Sequence, residues 1–164
     1  GLLTVNTVDE KYDWDDYSNL IISINDSLSK RYPFDPNSEL TLVLKYLDFY
    51  NLDFSHDIRA SYSKLFKFNI DLGPAVPKDT DPILLNIESA YKSPNGTVNF
   101  SLKRGKMTRN DENLEGIVFE SSIQTKIKAE NYTDTLKKWI KDSHEDISTF
   151  FKVLTEGPTY ESFK

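Results

Sequence analysis

The pair His144-Glu145 is the first place in this chain where residue types and spacing suggest chemistry. In zinc peptidases such a pair opens the pattern H-E-x-x-H, because two histidines four residues apart on one helix face both reach the metal. Here the fourth residue after His144 is Ser148, so the second histidine ligand is missing. Helical spacing places His144 beside Ile140 and Phe151, at the edge of an apolar stripe, and turns Glu145 away from it. We therefore predict a half-buried structural histidine and a solvated glutamate.

The other histidine and two acidic clusters are the remaining candidates for acid–base or metal chemistry. His56 precedes Asp57 at the expected start of a short helix, where an aspartate favours the helix dipole. The acidic clusters are Asp13-Asp15-Asp16, at the start of another helix, and Asp111-Glu112, at a loop tip. We predict no catalytic, cofactor-binding or metal site, and expect no cofactor. A hydrolase that uses His144 with scattered carboxylates is the weakest of three hypotheses, because it needs those groups to converge in space.

Composition narrows the classes of function further. The chain has 164 residues, no cysteine and a formal net charge of −6. The missing cysteines exclude a thiolate nucleophile and a Cys-ligated zinc, and they fit a cytoplasmic location. The net negative charge disfavours binding to nucleic acid or to an anionic membrane. No apolar run approaches the roughly 20 residues that span a bilayer.

One basic cluster stands against this acidic background, within the stretch "LKRGKMTR". Its members are Lys103, Arg104, Lys106 and Arg109. They lie around the end of a predicted hairpin, where charged side chains protect strand edges from unwanted pairing. We interpret them as edge protection, and expect no nucleic-acid partner.

The first half of the chain predicts alternating strands and helices. Leu2–Asn6 predicts a short strand, and a helix follows that Asp13 caps and Pro33 stops. The stretch "ELTLVLKYLDFYNLDF" predicts a long strand with apolar residues on both faces, which is typical of a central strand covered on both sides. A short helix is predicted over residues 55–66.

The second half predicts a three-stranded meander and a long helix. Alternating residues indicate strands over 83–88, 98–103 and 117–124, with "SPNG" as a turn and "TRNDENLEG" as a polar loop. The last helix should begin after Asn131 and end at Gly157-Pro158. Residues 1–164 thus predict one α+β domain in the order β-α-β-α-β-β-β-α. We expect a largely antiparallel sheet of about five strands, with helices mainly on one face, including the long C-terminal one.

Several short patterns resemble one protein family. The final helix carries W-[IL]-x-x-x-H-E-x-I-x-x-x-F, from Trp139 to Phe151, and a Thr and a final Phe follow at Thr155 and Phe163. "LLTVN" and "YDWDDY" precede it near the start of the chain. Together they resemble the C-terminal portion of a sporadically distributed, uncharacterised bacterial family, although Gly157-Pro158 interrupts a helix that often continues there. The resemblance implies that this chain is the C-terminal fragment of a longer protein. It brings no activity.

The second face of the long strand carries the last candidate site. Val43, Leu47 and Phe49 point away from the face that Leu44 and Tyr46 share. The short 55–66 helix, a missing N-terminal portion or a second copy of the chain should cover them, since contiguous exposed apolar patches are uncommon on monomers. We predict self-association through Val43, Leu47 and Phe49, within a non-catalytic intracellular protein-interaction domain. The alternative is a small-molecule binding domain, with a pocket between the sheet and the long C-terminal helix.

Overall fold

A computed structural model describes residues 1–8, 12–52, 54, 58–67, 71, 73, 84–109 and 111–161. The helices are α1 (Trp14–Arg31), α2 (Ile58–Leu65), α3 (Tyr132–Thr155) and α4 (Pro158–Glu161). The strands are β1 (Glu39–Asn51), β2 (Ile87–Ser93), β3 (Gly96–Arg109) and β4 (Glu112–Lys128), and a 3-10 turn (Ala129–Asn131) leads into α3. The predicted α+β class and long C-terminal helix are confirmed.

The sheet has four strands in the order β1-β4-β3-β2, and every pairing is antiparallel. The prediction of about five strands was wrong because Leu2–Asn6 forms no strand. Leu2 is 94% exposed, and the Tyr17 hydroxyl of α1 donates a hydrogen bond to the Val5 carbonyl over 2.6 Å. This segment is therefore tied to α1 by a side chain and adds no ladder to the sheet.

Strand β1 forms an edge of the sheet, and the prediction of a central, doubly covered strand was wrong. Its inner face, with Leu44 buried, packs beneath the helices. Its outer face is open, since Val43 is 57% exposed and Leu47 is 62% exposed. A strand is covered on two sides only when helices flank both faces of its sheet. The described helices lie on one face here, so an edge strand can carry apolar residues on both faces and still leave one face open.

The β3–β4 hairpin is longer than the predicted strands, because the "TRNDENLEG" stretch is largely strand and not loop. Its polar side chains bond across the two strands: the Thr108 hydroxyl donates to Asn113 Oδ1 over 3.0 Å, and Arg104 pairs with Glu115 over 2.6 Å. Asp111 adopts φ 64° at the turn, a conformation that Asp tolerates better than most residues. Strand β2 also begins later than predicted, at Ile87, and residue 83 lies outside the described part of the chain.

The core lies between the sheet and the helices in two adjoining clusters. The first joins α1 and α3 to Leu44, Val98 and Ile123. The second joins α2 and the end of α3 to Phe100 and Phe119. Helix α2 therefore packs on the inner face, so the expectation that it might cover Val43 and Leu47 was wrong.

Helix α3 is anchored to the predicted "SPNG" turn by polar contacts. Asp146 accepts hydrogen bonds from the Ser93 hydroxyl over 2.5 Å and from Asn95 Nδ2 over 2.9 Å. The Trp139 indole donates to the Asn95 carbonyl over 2.9 Å. Asn131 begins the helix as predicted but makes no side-chain capping bond. The turn therefore fixes α3 to the β2–β3 end of the sheet, and so fixes where His144 lies.

Candidate functional site

A cleft between α1 and α3 is a concave site lined by described residues. Its volume is about 560 Å³, within the range of small-molecule sites. The α1–α3 cleft is lined by Trp14, Asp15, Ser18 and Ile22 from α1, and by Lys137, Ile140, Lys141, His144, Glu145, Ser148, Thr149 and Lys152 from α3. It lies between two helices, whereas the sequence placed a pocket between α3 and the sheet.

His144 is held at this cleft by two contacts on different elements. Its ring stacks on the Trp14 indole, with centroids 3.8 Å apart and planes 9° from parallel. Its Nδ1 lies 2.7 Å from the Tyr46 hydroxyl of β1, and Tyr46 is in turn hydrogen-bonded to Tyr12. The histidine thus ties α3 to α1 and to the sheet, as the structural interpretation expects.

The protonation of His144 follows from its surroundings. Burial lowers the pKa of its imidazole and the nearby Lys152 adds to that effect, while Asp15 and Glu145 act in the opposite direction. The ring is therefore neutral at pH 7. Within the described part of the chain only Nδ1 has a hydrogen-bond partner, so Nε2 is left for a group in the cleft.

The charged groups of the cleft are predominantly basic. It holds three lysines against two carboxylates. Lys137 lies 3.5 Å from Asp26 of α1, whereas Lys141 and Lys152 form no ion pair with any described residue. Ser148 and Thr149 add hydroxyls between them. Lys141 and Lys152 are therefore the lysines that an added negatively charged group could contact, beside the carboxylates of Asp15 and Glu145.

The structure brings His144 together with Asp15 and Glu145 at the cleft. No described hydroxyl of serine or threonine is hydrogen-bonded to His144, so a nucleophile–base pair is not formed. No three His, Asp or Glu side chains lie close enough to hold a metal ion, among the residues that the structure describes. His56 and Asp57 lie outside the described residues.

The other charged candidates have structural partners. Asp13 caps α1 by accepting from the Asp16 amide over 3.0 Å, and Asp111 lies at the β3–β4 turn. The basic cluster is largely neutralised across strands. Lys103 pairs with Glu88, and both Arg104 and Lys106 pair with Glu115, at 2.6–3.0 Å. These ion pairs join neighbouring strands of the sheet, and the edge-protection interpretation stays a prediction.

The predicted interaction residues Val43, Leu47 and Phe49 lie together on the outer face of β1, and we call them the outer strip. Val43 and Leu47 are more than half exposed, and no described helix lies over them. Phe49 is partly buried because its ring lies across Gly116 of β4, where an added Cβ would come within 2.7 Å of the ring. The outer strip thus combines two exposed aliphatic residues with one anchored aromatic ring.

The free edge beside the outer strip is long and regular. The thirteen residues of β1 pair with β4 from Glu39↔Lys128 to Asn51↔Gly116 without a break, so this ladder contains no bulge. The strand contains no proline, and no described strand lies on its other side. Its one lysine, Lys45, bonds Glu120 of β4 over 2.8 Å. Most devices that protect an exposed edge are therefore missing.

Sequence reasoning missed two parts of this site. The partnership of Trp14 and Tyr46 with His144 joins residues far apart in the chain, and no local pattern marks it. The second missed part is Asp48, whose burial the sequence could have indicated. Asp48 lies four residues after Leu44 in β1, so both side chains lie on the inner face, and Asp48 is opposite Phe119 of β4. Burial raises the pKa of its carboxyl to about 6.

Comparison of the chain with protein-family models, with curated proteins and with solved structures found no match. The resemblance to an uncharacterised bacterial family therefore stays a prediction. Among the residues described, no helix combines the length and the apolar character needed to cross a membrane.

Proposed function

We propose that this chain is a non-catalytic protein-interaction domain that binds an extended strand along the free edge of β1. The observation that carries the proposal is the unbroken thirteen-residue edge beside the exposed Val43 and Leu47. Backbone groups on such an edge hydrogen-bond to an added strand, and the side chains beside it supply specificity. The occupant we propose is β1 of a second copy, which would give a dimer.

Two copies of β1 fit each other with little conflict of charge. A two-fold axis through Tyr46, perpendicular to the sheet, would place Val43 opposite Phe49 and Lys45 opposite Leu47. It would avoid placing Lys45 opposite its own copy, where like charges repel. The ammonium of Lys45 can keep its bond to Glu120 within its own chain. The outer strips of the two copies would then form one continuous apolar surface.

The cellular location and the bacterial origin of the protein belong to the same proposal. A chain without cysteine suits the reducing cytoplasm, and we place the domain there, in a bacterial protein. The charges of the basic hairpin are paired across strands, which supports a protein partner over a nucleic acid.

Analytical ultracentrifugation over a concentration series tests the proposal. The parent chain should form a dimer that buries at least about 1,000 Å² in total. Val43→Glu should shift it to monomer by placing a charge opposite Phe49 of the second copy. The matched control is Val153→Glu, which changes an equally exposed valine of α3, 64% accessible and far from β1.

Three outcomes would count against the dimer. A parent chain that stays monomeric at high concentration would do so, as would a Val153→Glu variant that dissociates as much as Val43→Glu. A parent monomer that nonetheless binds an extended peptide along β1 would replace the second copy by another partner.

A further inference from the structure

We propose that the α1–α3 cleft binds a small organic anion, with its carboxylate or phosphate at His144 between Lys141 and Lys152. This site is separate from the edge of β1, and either proposal can fail without the other. The apolar part of such a ligand would lie against Ile22 and Ile140, which line the same cleft.

The first step of the argument is the free nitrogen of His144. A phenol is a stronger donor than an imidazole N–H, so we assign the Tyr46 hydroxyl as the donor to Nδ1. The proton of the neutral ring then lies on Nε2. Nδ1 is engaged by the sheet while His144 lines the cleft, so the N–H on Nε2 is the group that remains for a ligand. Because this N–H is a hydrogen-bond donor, a ligand that binds it must present a hydrogen-bond acceptor.

The second step is the charge. The whole chain carries −6, yet the cleft, whose third lysine Lys137 is paired with Asp26, still presents the two lysines Lys141 and Lys152 beside the carboxylates of Asp15 and Glu145. Lys141 precedes His144 by one turn of α3 and Lys152 follows it by about two turns, so the two lysines flank the histidine along one helix. Neither has an ion-pair partner in the described residues, and an anionic ligand would supply one.

The third step is the shape. A volume of about 560 Å³ accepts a molecule larger than a bare inorganic ion. Ile22, Ile140 and the Trp14–His144 stack give the lining apolar and aromatic groups, and Ser148, Thr149 and the lysines give it polar ones. A ligand with one anionic end and one apolar or planar end suits this mixed lining. A metal ion does not, because no three suitable side chains converge among the described residues.

The site also predicts a dependence on pH. An anion beside His144 stabilises the imidazolium, so it should bind more tightly as the pH falls through the range where histidine titrates. Asp15 of α1 and Glu145 of α3 favour the same protonation, Lys152 opposes it, and Tyr46 of β1 stays neutral.

Titration of isotope-labelled protein, followed by NMR, tests the inference at constant ionic strength. The probes are phenyl phosphate and benzoate in separate arms, which distinguish a phosphate from a carboxylate, with inorganic phosphate and sodium chloride as references. We expect one of the two organic anions to shift the Trp14 indole and His144 ring resonances saturably, and more weakly at pH 8 than at pH 6. The reference ions should bind more weakly than that probe.

Two exposed lysines provide matched variants that should not disturb folding. Lys141→Gln should weaken binding of the effective probe about tenfold, because a charge-assisted contact is lost. Lys138→Gln changes an exposed lysine of α3 that does not line the cleft, and should leave the affinity unchanged. The inference is overturned if neither organic anion shifts these resonances saturably, or if Lys138→Gln weakens binding as much as Lys141→Gln.

Discussion

The imidazole of His144 lies flat against the indole of Trp14, with 3.8 Å between the ring centroids. The same imidazole bonds the Tyr46 hydroxyl through Nδ1. One side chain of α3 therefore contacts α1 and β1 at once, at the place where the two helices meet the sheet. The contact gives His144 a packing role on this helix, whatever else the His144-Glu145 pair resembles.

Replacing His144 should cost stability by two separable routes. His144→Ala removes both the stack and the hydrogen bond, and should lower the free energy of unfolding by about 1–3 kcal/mol. His144→Phe keeps a ring on Trp14 but leaves the Tyr46 hydroxyl without its partner, so it should cost less than His144→Ala. Urea denaturation of both variants measures the difference. Stoichiometric zinc in the parent protein, lost in His144→Ala, would contradict the structural role.

Asp48 should make the protein less stable as the pH rises. Burial holds the pKa of its carboxyl at about 6 in the folded chain, against 3.8 for the unperturbed group. Between those pH values the folded state binds more protons than the unfolded state, so stability falls as the pH rises and the loss is complete above pH 6. Asp48→Asn should therefore raise the free energy of unfolding at pH 7.5 by about 1–3 kcal/mol, after allowance for partial exposure.

The comparison for Asp48 is its behaviour at low pH. Near pH 4 the parent carboxyl is largely protonated when folded, so Asp48→Asn should then differ little from the parent. Glu156→Gln, at an exposed position after α3, should change stability little at either pH. An Asp48→Asn variant that is no more stable than the parent at pH 7.5 would show that the carboxyl is solvated.

Trp139 should be among the costliest side chains of α3 to remove. It is 8% exposed, belongs to the first core cluster and donates to the Asn95 carbonyl. Trp139→Ala should lower the free energy of unfolding by about 3–5 kcal/mol, whereas Val153→Ala on the exposed face should change it by about 0.5 kcal/mol or less. Thermal and urea denaturation check both values, and equal effects would mean that α3 does not pack as described.

Local patterns predicted the helices better than they predicted the sheet. Apolar residues spaced three and four apart, with Asp13 as the cap, predicted the bounds of α1 nearly to the residue. The apolar stripe from Leu136 to Leu154 predicted α3. The position of a strand within a sheet depends on which strands pair with it, and a local sequence pattern does not predict those partners. The apolar pattern of β1 suggested a central strand, but β1 pairs only with β4 among the described strands. Leu2–Asn6 has the composition of a strand but pairs with no described strand.

The candidate site shows the same difference between features set within one element and features set by packing between elements. The outer strip of Val43, Leu47 and Phe49 was predicted because parity within one strand assigns side chains to faces. The α1–α3 cleft was not, because it depends on which helix lies beside α3. Trp14 and His144 are brought together by the packing of α1 and α3 on one face of the sheet, and spacing within either helix does not encode that contact.

Gly116 should be more sensitive to substitution than Gly105, its cross-strand partner. An added Cβ would lie 2.1 Å from the Tyr50 carbonyl oxygen, a backbone atom of β1, and would also meet the Phe49 ring. Gly105 is its cross-strand partner in β3, and a Cβ there would lie 2.5 Å from a methyl of Val118. A side-chain methyl can rotate away, whereas the backbone of β1 can only move off β4.

Gly116→Ala should therefore lower the free energy of unfolding by about 2–3 kcal/mol, and Gly105→Ala by roughly 1 kcal/mol or less. Because the clash displaces β1, Gly116→Ala should also weaken the proposed dimer more than Gly105→Ala does, which ultracentrifugation of the folded fraction measures. Two alanine variants of equal stability would show that β1 does not approach β4 as closely as the pairing requires.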